Sequence, residues 1–138
     1  MMRTFAAAIA VTAFLAGGVD AAQAEEVRWL RSYDQAIETA RKAQVPLLIY
    51  VTHPQCHFCR LMDRETFASP VISGRLNERF ISVKVDASEE PELVKRLGVA
   101  GFPAMLIAGP NLKLLDRADG FVRPASFAER LDAVTGAQ

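Results

Sequence analysis

The chain has 138 residues with an apolar share of 51%, and its 16 basic side chains are matched by 16 acidic ones. That length and apolar share suit one domain around one core and leave no room for a second. The even charge argues against nucleic acid or an anionic membrane surface as the partner.

The amino terminus has the pattern of a cleavable export signal. Arg3 is followed by a twelve-residue apolar run, Phe5–Ala16, then by Gly17-Gly18, and Ala22-Gln23-Ala24 has the small-x-small form of a processing site. The run is short of the ~20 apolar residues that span a bilayer, so a leader over 1–24 is expected rather than an anchor. No Cys follows the apolar run to carry a lipid. Cleavage would leave a domain over 25–138 with 15 basic and 15 acidic residues.

Val27–Leu30 reads as a short edge strand. Residues 32–43 carry Ala36, Ile37 and Ala40 at helical spacing, with Ser32 as N-cap. Val45-Pro46 ends that helix. Leu47–Val51 is a continuous apolar run, the mark of a central strand covered on both faces. After the turn Thr52–Gln55, residues 56–67 read as a helix with Phe58, Leu61 and Met62 in register. A further helix over 71–78 turns Val71, Ile72 and Leu76 inward. A strand over 80–85 follows, then a helix over 90–97 closed by Gly98. Strands at 104–108 and 112–117 are joined by the turn Gly109-Pro110-Asn111. A last amphipathic helix covers 126–134. Strands alternating with helices predict parallel pairing, with the final hairpin as an antiparallel edge.

The chain has two cysteines, Cys56 and Cys59, three positions apart. A structural disulfide gains by closing a long loop, and this pair closes almost none, so its role is chemical. Cys56 stands where a helix begins, and helix N-termini stabilise a thiolate, the attacking species in disulfide exchange. Cys59 lies one turn further on, in reach to attack a mixed disulfide at Cys56. Arg60 follows the pair where covalent haem would need His. A metal site drawn from His53, Cys56, His57 and Cys59 would crowd four ligands into seven residues, which hinders a tetrahedral shell.

With these motifs in place, residues 45–108 resemble the thioredoxin superfamily, in particular periplasmic thioredoxin-like proteins related to the C-terminal domain of DsbD. The resemblance rests on PLLIYV before the pair, CHFCR at the helix start, RLNERFISVKVDAS in the middle, and GVAGFPA. It implies a thioredoxin fold: a mixed central sheet with helices on both faces and a C-terminal β-hairpin plus helix. It also implies a cis Pro103 beside Cys56, with Phe102 and Gly120 lining a substrate groove. Core packing is the competing reading for Phe102 and Phe121. Two departures stand out. Tyr50 replaces the buried Asp that thioredoxins carry six residues before the first Cys, and Ser82 replaces their Lys on the next strand. The usual acid-base pair behind the cysteines is therefore missing. Lys84 reads as a solvated or rim lysine, Asp63 and Glu65 as charges on a solvated face, and His53 as a turn residue. His57, when protonated, would favour the Cys56 thiolate and make the pair more oxidising; the alternative is that His57 and Phe58 simply face solvent.

The expected function is that of an exported, monomeric thiol-disulfide oxidoreductase acting on client proteins as reductase or isomerase. It would need no dissociable cofactor or metal and would draw electrons from a membrane donor of the DsbD type. The rival from another class is a thioredoxin-fold binding module, a chaperone or metal carrier, that uses the CHFC loop for recognition.

Overall fold

A computed structural model describes residues 25–136 of the chain; the expected leader over 1–24 lies outside the described residues. Five strands form one mixed sheet: β1 (Trp29–Leu30), β2 (Leu47–Thr52), β3 (Ile81–Asp86), β4 (Ala104–Ala108) and β5 (Leu114–Asp119), in the order β1-β3-β2-β4-β5. The helices are α1 (Tyr33–Ala43), α2 (His57–Leu61), α3 (Pro70–Arg79), α4 (Pro91–Arg96) and α5 (Pro124–Gly136). β1, β3 and β2 run parallel, whereas β4 is antiparallel to both β2 and β5. The antiparallel half is thus wider than the hairpin alone. The connection through α4 returns the chain on the far side of β2, where β4 meets β2 head to tail.

β2 is buried at every position, and the alternation of its side chains divides the core in two. Leu48 and Tyr50 join Met62, Phe67, Ile72, Leu76, Phe127 and Leu131 under α2, α3 and α5. Leu47, Ile49 and Val51 join Ala36, Ala40, Val83, Val85, Leu93 and Val94 under α1 and α4. A strand covered on both faces must be apolar throughout, which is what the uninterrupted run at 47–51 signals.

Local signals placed most boundaries. The Ser32 hydroxyl accepts the Gln35 N–H at 3.2 Å as N-cap of α1. Gly98 takes φ 69° at the close of α4, the left-handed geometry glycine adopts freely. Three expectations need correction. The helix after Cys56 is not α-helical to its end: it widens into a π-helical turn over Met62–Thr66, closed by Phe67 N–H to the Met62 carbonyl. β5 begins at Leu114 rather than 112, because Leu112 is taken into the turn at φ 66° and its N–H bonds to the Gly109 carbonyl. Val71, in the first turn of α3, is exposed while Ile72, Ser73 and Leu76 face the core.

Candidate active site

β2 ends at Thr52, and its N–H and C=O rows are filled by β3 on one side and β4 on the other. The chain leaving it turns through His53–Gln55, with the His53 Nδ1 accepting the Gln55 N–H at 3.1 Å. That confirms His53 as a turn residue, and its ring also stacks on Phe102 with centroids 5.6 Å apart. The turn delivers Cys56 to the N-cap position of α2. Its Sγ accepts the backbone N–H of Cys59 at 3.1 Å. An N-cap sulfur receives a donor that the first turn of any helix leaves unpaired, together with the positive end of the helix dipole.

Cys56 and Cys59 are joined as a disulfide with Cα atoms 5.2 Å apart. The two sulfurs differ in access: Cys56 is partly exposed, whereas Cys59 is 1% exposed and packed into the core. His57 and Phe58, between them, both point outward, Phe58 at 55% exposure, with their rings edge to face at 5.3 Å. Neither side chain enters the core.

A second loop reaches the same end of the sheet. Ala104, the first residue of β4, pairs with Val51, so the segment before it lies beside the turn that carries the cysteines. Pro103 is buried and the Phe102–Pro103 bond is cis. The Pro103 carbonyl accepts the Gly120 N–H at 2.8 Å, with Gly120 at φ 85°. The structure thus brings Pro103 and Gly120 together. Phe102 is partly buried against the α1/α4 core and Phe121 against the other, so both take part in packing. Behind this loop, the Thr66 hydroxyl donates to the Val122 carbonyl at 2.6 Å, tying the motif helix to the segment after β5.

Tyr50 is fully buried, and its hydroxyl donates to the Cys59 carbonyl at 3.1 Å. Its ring packs against Trp29 and Phe67, at centroid distances of 5.5 and 4.7 Å. Burial, with the nearby Asp63 charge adding to it, holds the Tyr50 phenol far above its ordinary range, so it stays protonated. The position is occupied by a hydrogen-bond donor that braces the motif.

Asp63 and Lys84 were not legible as a pair. Lys84 Nζ lies 3.1 Å from Asp63 Oδ1, with the lysine side chain only 20% exposed. The same ammonium sits over the Tyr50 and Trp29 rings, 5.3 and 6.0 Å from their centroids. Asp63 is therefore not a charge on an open face, and Lys84 is a paired lysine. The signal was present in the register, since Tyr50 pairs with Lys84 across the sheet, but the contact depends on where the motif helix lies over it. Ser82, opposite Leu48, is buried and its hydroxyl has no partner among the described residues.

The family model described as Thioredox_DsbH, a protein of unknown function, DUF255, matches residues 18–106. The chain belongs to this family. The DsbH-type chain also resembles Spermatogenesis-associated protein 20 of Homo sapiens, with 38% identity over 69 residues that make up 50% of this chain and 9% of that protein. It thus spans under a tenth of the length of that relative. Among solved structures, DsbH oxidoreductase superposes with a TM-score of 0.71 at 19% identity, over 83% of this chain and 88% of the other. The oxidised DsbD C-terminal domain of Neisseria meningitidis gives 0.65 at 22%, over 76% and 97%. The fold of this DsbH-family member is the thioredoxin fold, and the likeness to the DsbD domain expected from CHFCR and GVAGFPA holds. A thioredoxin fold carrying a Cys56–Cys59 disulfide supports thiol-disulfide redox chemistry.

Proposed function

We propose that the chain is an exported, monomeric thiol-disulfide oxidoreductase that reduces or isomerises disulfides in client proteins. The observation that carries this reading is the asymmetry of the pair: a partly exposed sulfur at a helix N-cap, joined to a buried one a turn further on. The Cys56 thiolate attacks a client disulfide, breaking its S–S bond and forming a mixed disulfide. Cys59 then attacks the Cys56 sulfur, closing the internal disulfide and releasing the client as a dithiol. Two electrons pass to the client, and a membrane donor of the DsbD type restores the reduced pair. Pro103, Phe102 and Gly120, on loops at the same end of the sheet, form the wall against which the client segment lies. The leader expected over 1–24 directs this chemistry to the periplasm. The metal-carrier reading of the CHFC loop is the alternative that the assay separates from exchange.

The test is reduction of insulin disulfides by catalytic amounts of protein with dithiothreitol, with and without added metal. Metal-independent acceleration is expected. A rate equal to that of dithiothreitol alone would remove the reading.

His57, exposed beside Cys56, supplies a second check on the pair. A positive imidazole favours the Cys56 thiolate, which stabilises the reduced form and makes the disulfide the better oxidant. A glutathione redox titration should therefore place the pair above the roughly −270 mV of thioredoxin. His57→Ala should lower the potential by about 30 mV, a tenfold change in the exchange equilibrium. The difference should shrink as pH rises. Identical potentials at acid pH would leave the helix terminus as the sole tuning element.

A further inference from the structure

Resolution needs Cys59 as a thiolate, yet Cys59 is only 1% exposed. Its side borders a surface cavity of about 260 Å3 whose ionisable lining groups are Arg31, His53, Arg60, Asp63, Lys84 and Asp86. That volume exceeds the share of one water many times over, and the walls are polar enough to hold several. A proton leaving Cys59 therefore has a wet compartment beside it and a choice of acceptors.

The acceptors can be separated by what each is already doing. Arg31, Arg60 and Lys84 are cations without a lone pair to offer. Asp86 accepts the Ser88 hydroxyl at 2.6 Å and the Ser88 N–H at 2.8 Å, and these bonds hold its carboxyl below the ordinary range, making it the weaker base. His53 has its Nδ1 committed to the Gln55 N–H and its ring stacked on Phe102. Tyr50, behind the cysteine, donates its only proton to the Cys59 carbonyl and stays protonated. Asp63 remains. It follows Cys59 by one helical turn, which places the two side chains on neighbouring positions of one face, and it lines the same cavity. Lys84 engages one carboxylate oxygen at 3.1 Å and is itself fixed over two aromatic rings.

We propose that Asp63, positioned by Lys84, accepts the Cys59 proton through water in this cavity during resolution of the mixed disulfide; this rests on the thiol-disulfide reading above. The Cys59 S–H bond breaks and its proton passes to the Asp63 carboxylate. The thiolate attacks the Cys56 sulfur, the bond between Cys56 and the client sulfur breaks, and the client leaves as a thiolate that takes a proton from solvent. Asp63 then returns its proton to the cavity water. The pair is oxidised by two electrons and the client disulfide is reduced by two. An aspartate on the helix and a lysine on β3 thus meet a requirement that position 50 does not.

The step can be timed with 5,5′-dithiobis(2-nitrobenzoate) mixed in equimolar amount with the reduced protein. Release of the first thionitrobenzoate reports attack by Cys56, and release of the second reports resolution by Cys59. Asp63→Asn should lower the ratio of second to first rate by at least about tenfold at neutral pH. Its second phase should then climb steeply with pH as hydroxide replaces the carboxylate, while the wild-type profile stays flatter. Asp63→Glu should restore most of the ratio, which a loss of fold would not allow. A ratio within twofold of wild type in Asp63→Asn, or an unchanged pH profile, would overturn the role of Asp63. If the wild-type protein releases no first thionitrobenzoate, it is the thiol-disulfide reading that fails.

Discussion

Cys59→Ser should turn the protein into a trap that accumulates clients as mixed disulfides, and Cys56→Ser should capture none. Both substitutions should abolish insulin reduction. The basis is access: the Cys56 sulfur sits at the N-cap with an N–H donated to it, while Cys59, within the helix, is buried. With the resolving thiol gone, the first exchange proceeds and the second cannot. Iodoacetamide should label Cys56 of the reduced protein at least about ten times faster than Cys59, since one pKa unit is worth a factor of ten in thiolate below both pKa values. Non-reducing electrophoresis with mass spectrometry reads the first result and peptide mapping the second. Trapping by Cys56→Ser, or equal labelling, would reverse the roles.

Tyr50→Asp should lower stability more than any other single change near the site, by about 3–5 kcal/mol. It removes a ring that touches Trp29 and Phe67 and leaves a cavity, and it strands a carboxylate in a position that is fully buried. Tyr50→Phe keeps the ring and loses only the bond to the Cys59 carbonyl, which still accepts the Met62 N–H, at a cost of about 0.5–1.5 kcal/mol. Urea unfolding of the oxidised proteins measures both. A Tyr50→Asp midpoint equal to wild type would show that the pocket is wetter or more pliable than its packing indicates. Because Asp63 lines the same cavity as Cys59, an acid at position 50 should add little to the resolution rate.

What could be read from the sequence divides along the range of the interactions. β2 was legible because a doubly covered strand must be apolar at every position, as 47–51 is. Ser32 and Gly98 announced helix ends because caps act within a turn. The N-cap placement of Cys56 followed from a strand ending and a helix starting on either side of a short turn. The π-helical turn after Leu61 was not legible, since nothing in Met62–Thr66 distinguishes it from α-helix by propensity. Nor was the Asp63–Lys84 contact, which spans 21 residues and depends on how the helix lies over β3. Val71 was placed inward by spacing alone, and it faces out.

The aromatic stack behind the cysteines has an optical consequence. Trp29 is the chain's single tryptophan, and its ring meets Tyr50 and Phe67, the latter edge to face at 4.9 Å. Tyr50 in turn grips the backbone of Cys59. The protein therefore carries one indole fluorophore, linked through Tyr50 to the segment that holds the disulfide. Its emission should serve as a label-free gauge of the redox state of the pair, free of interference from a second indole, and should also register loosening of the short strand β1 on which it rides.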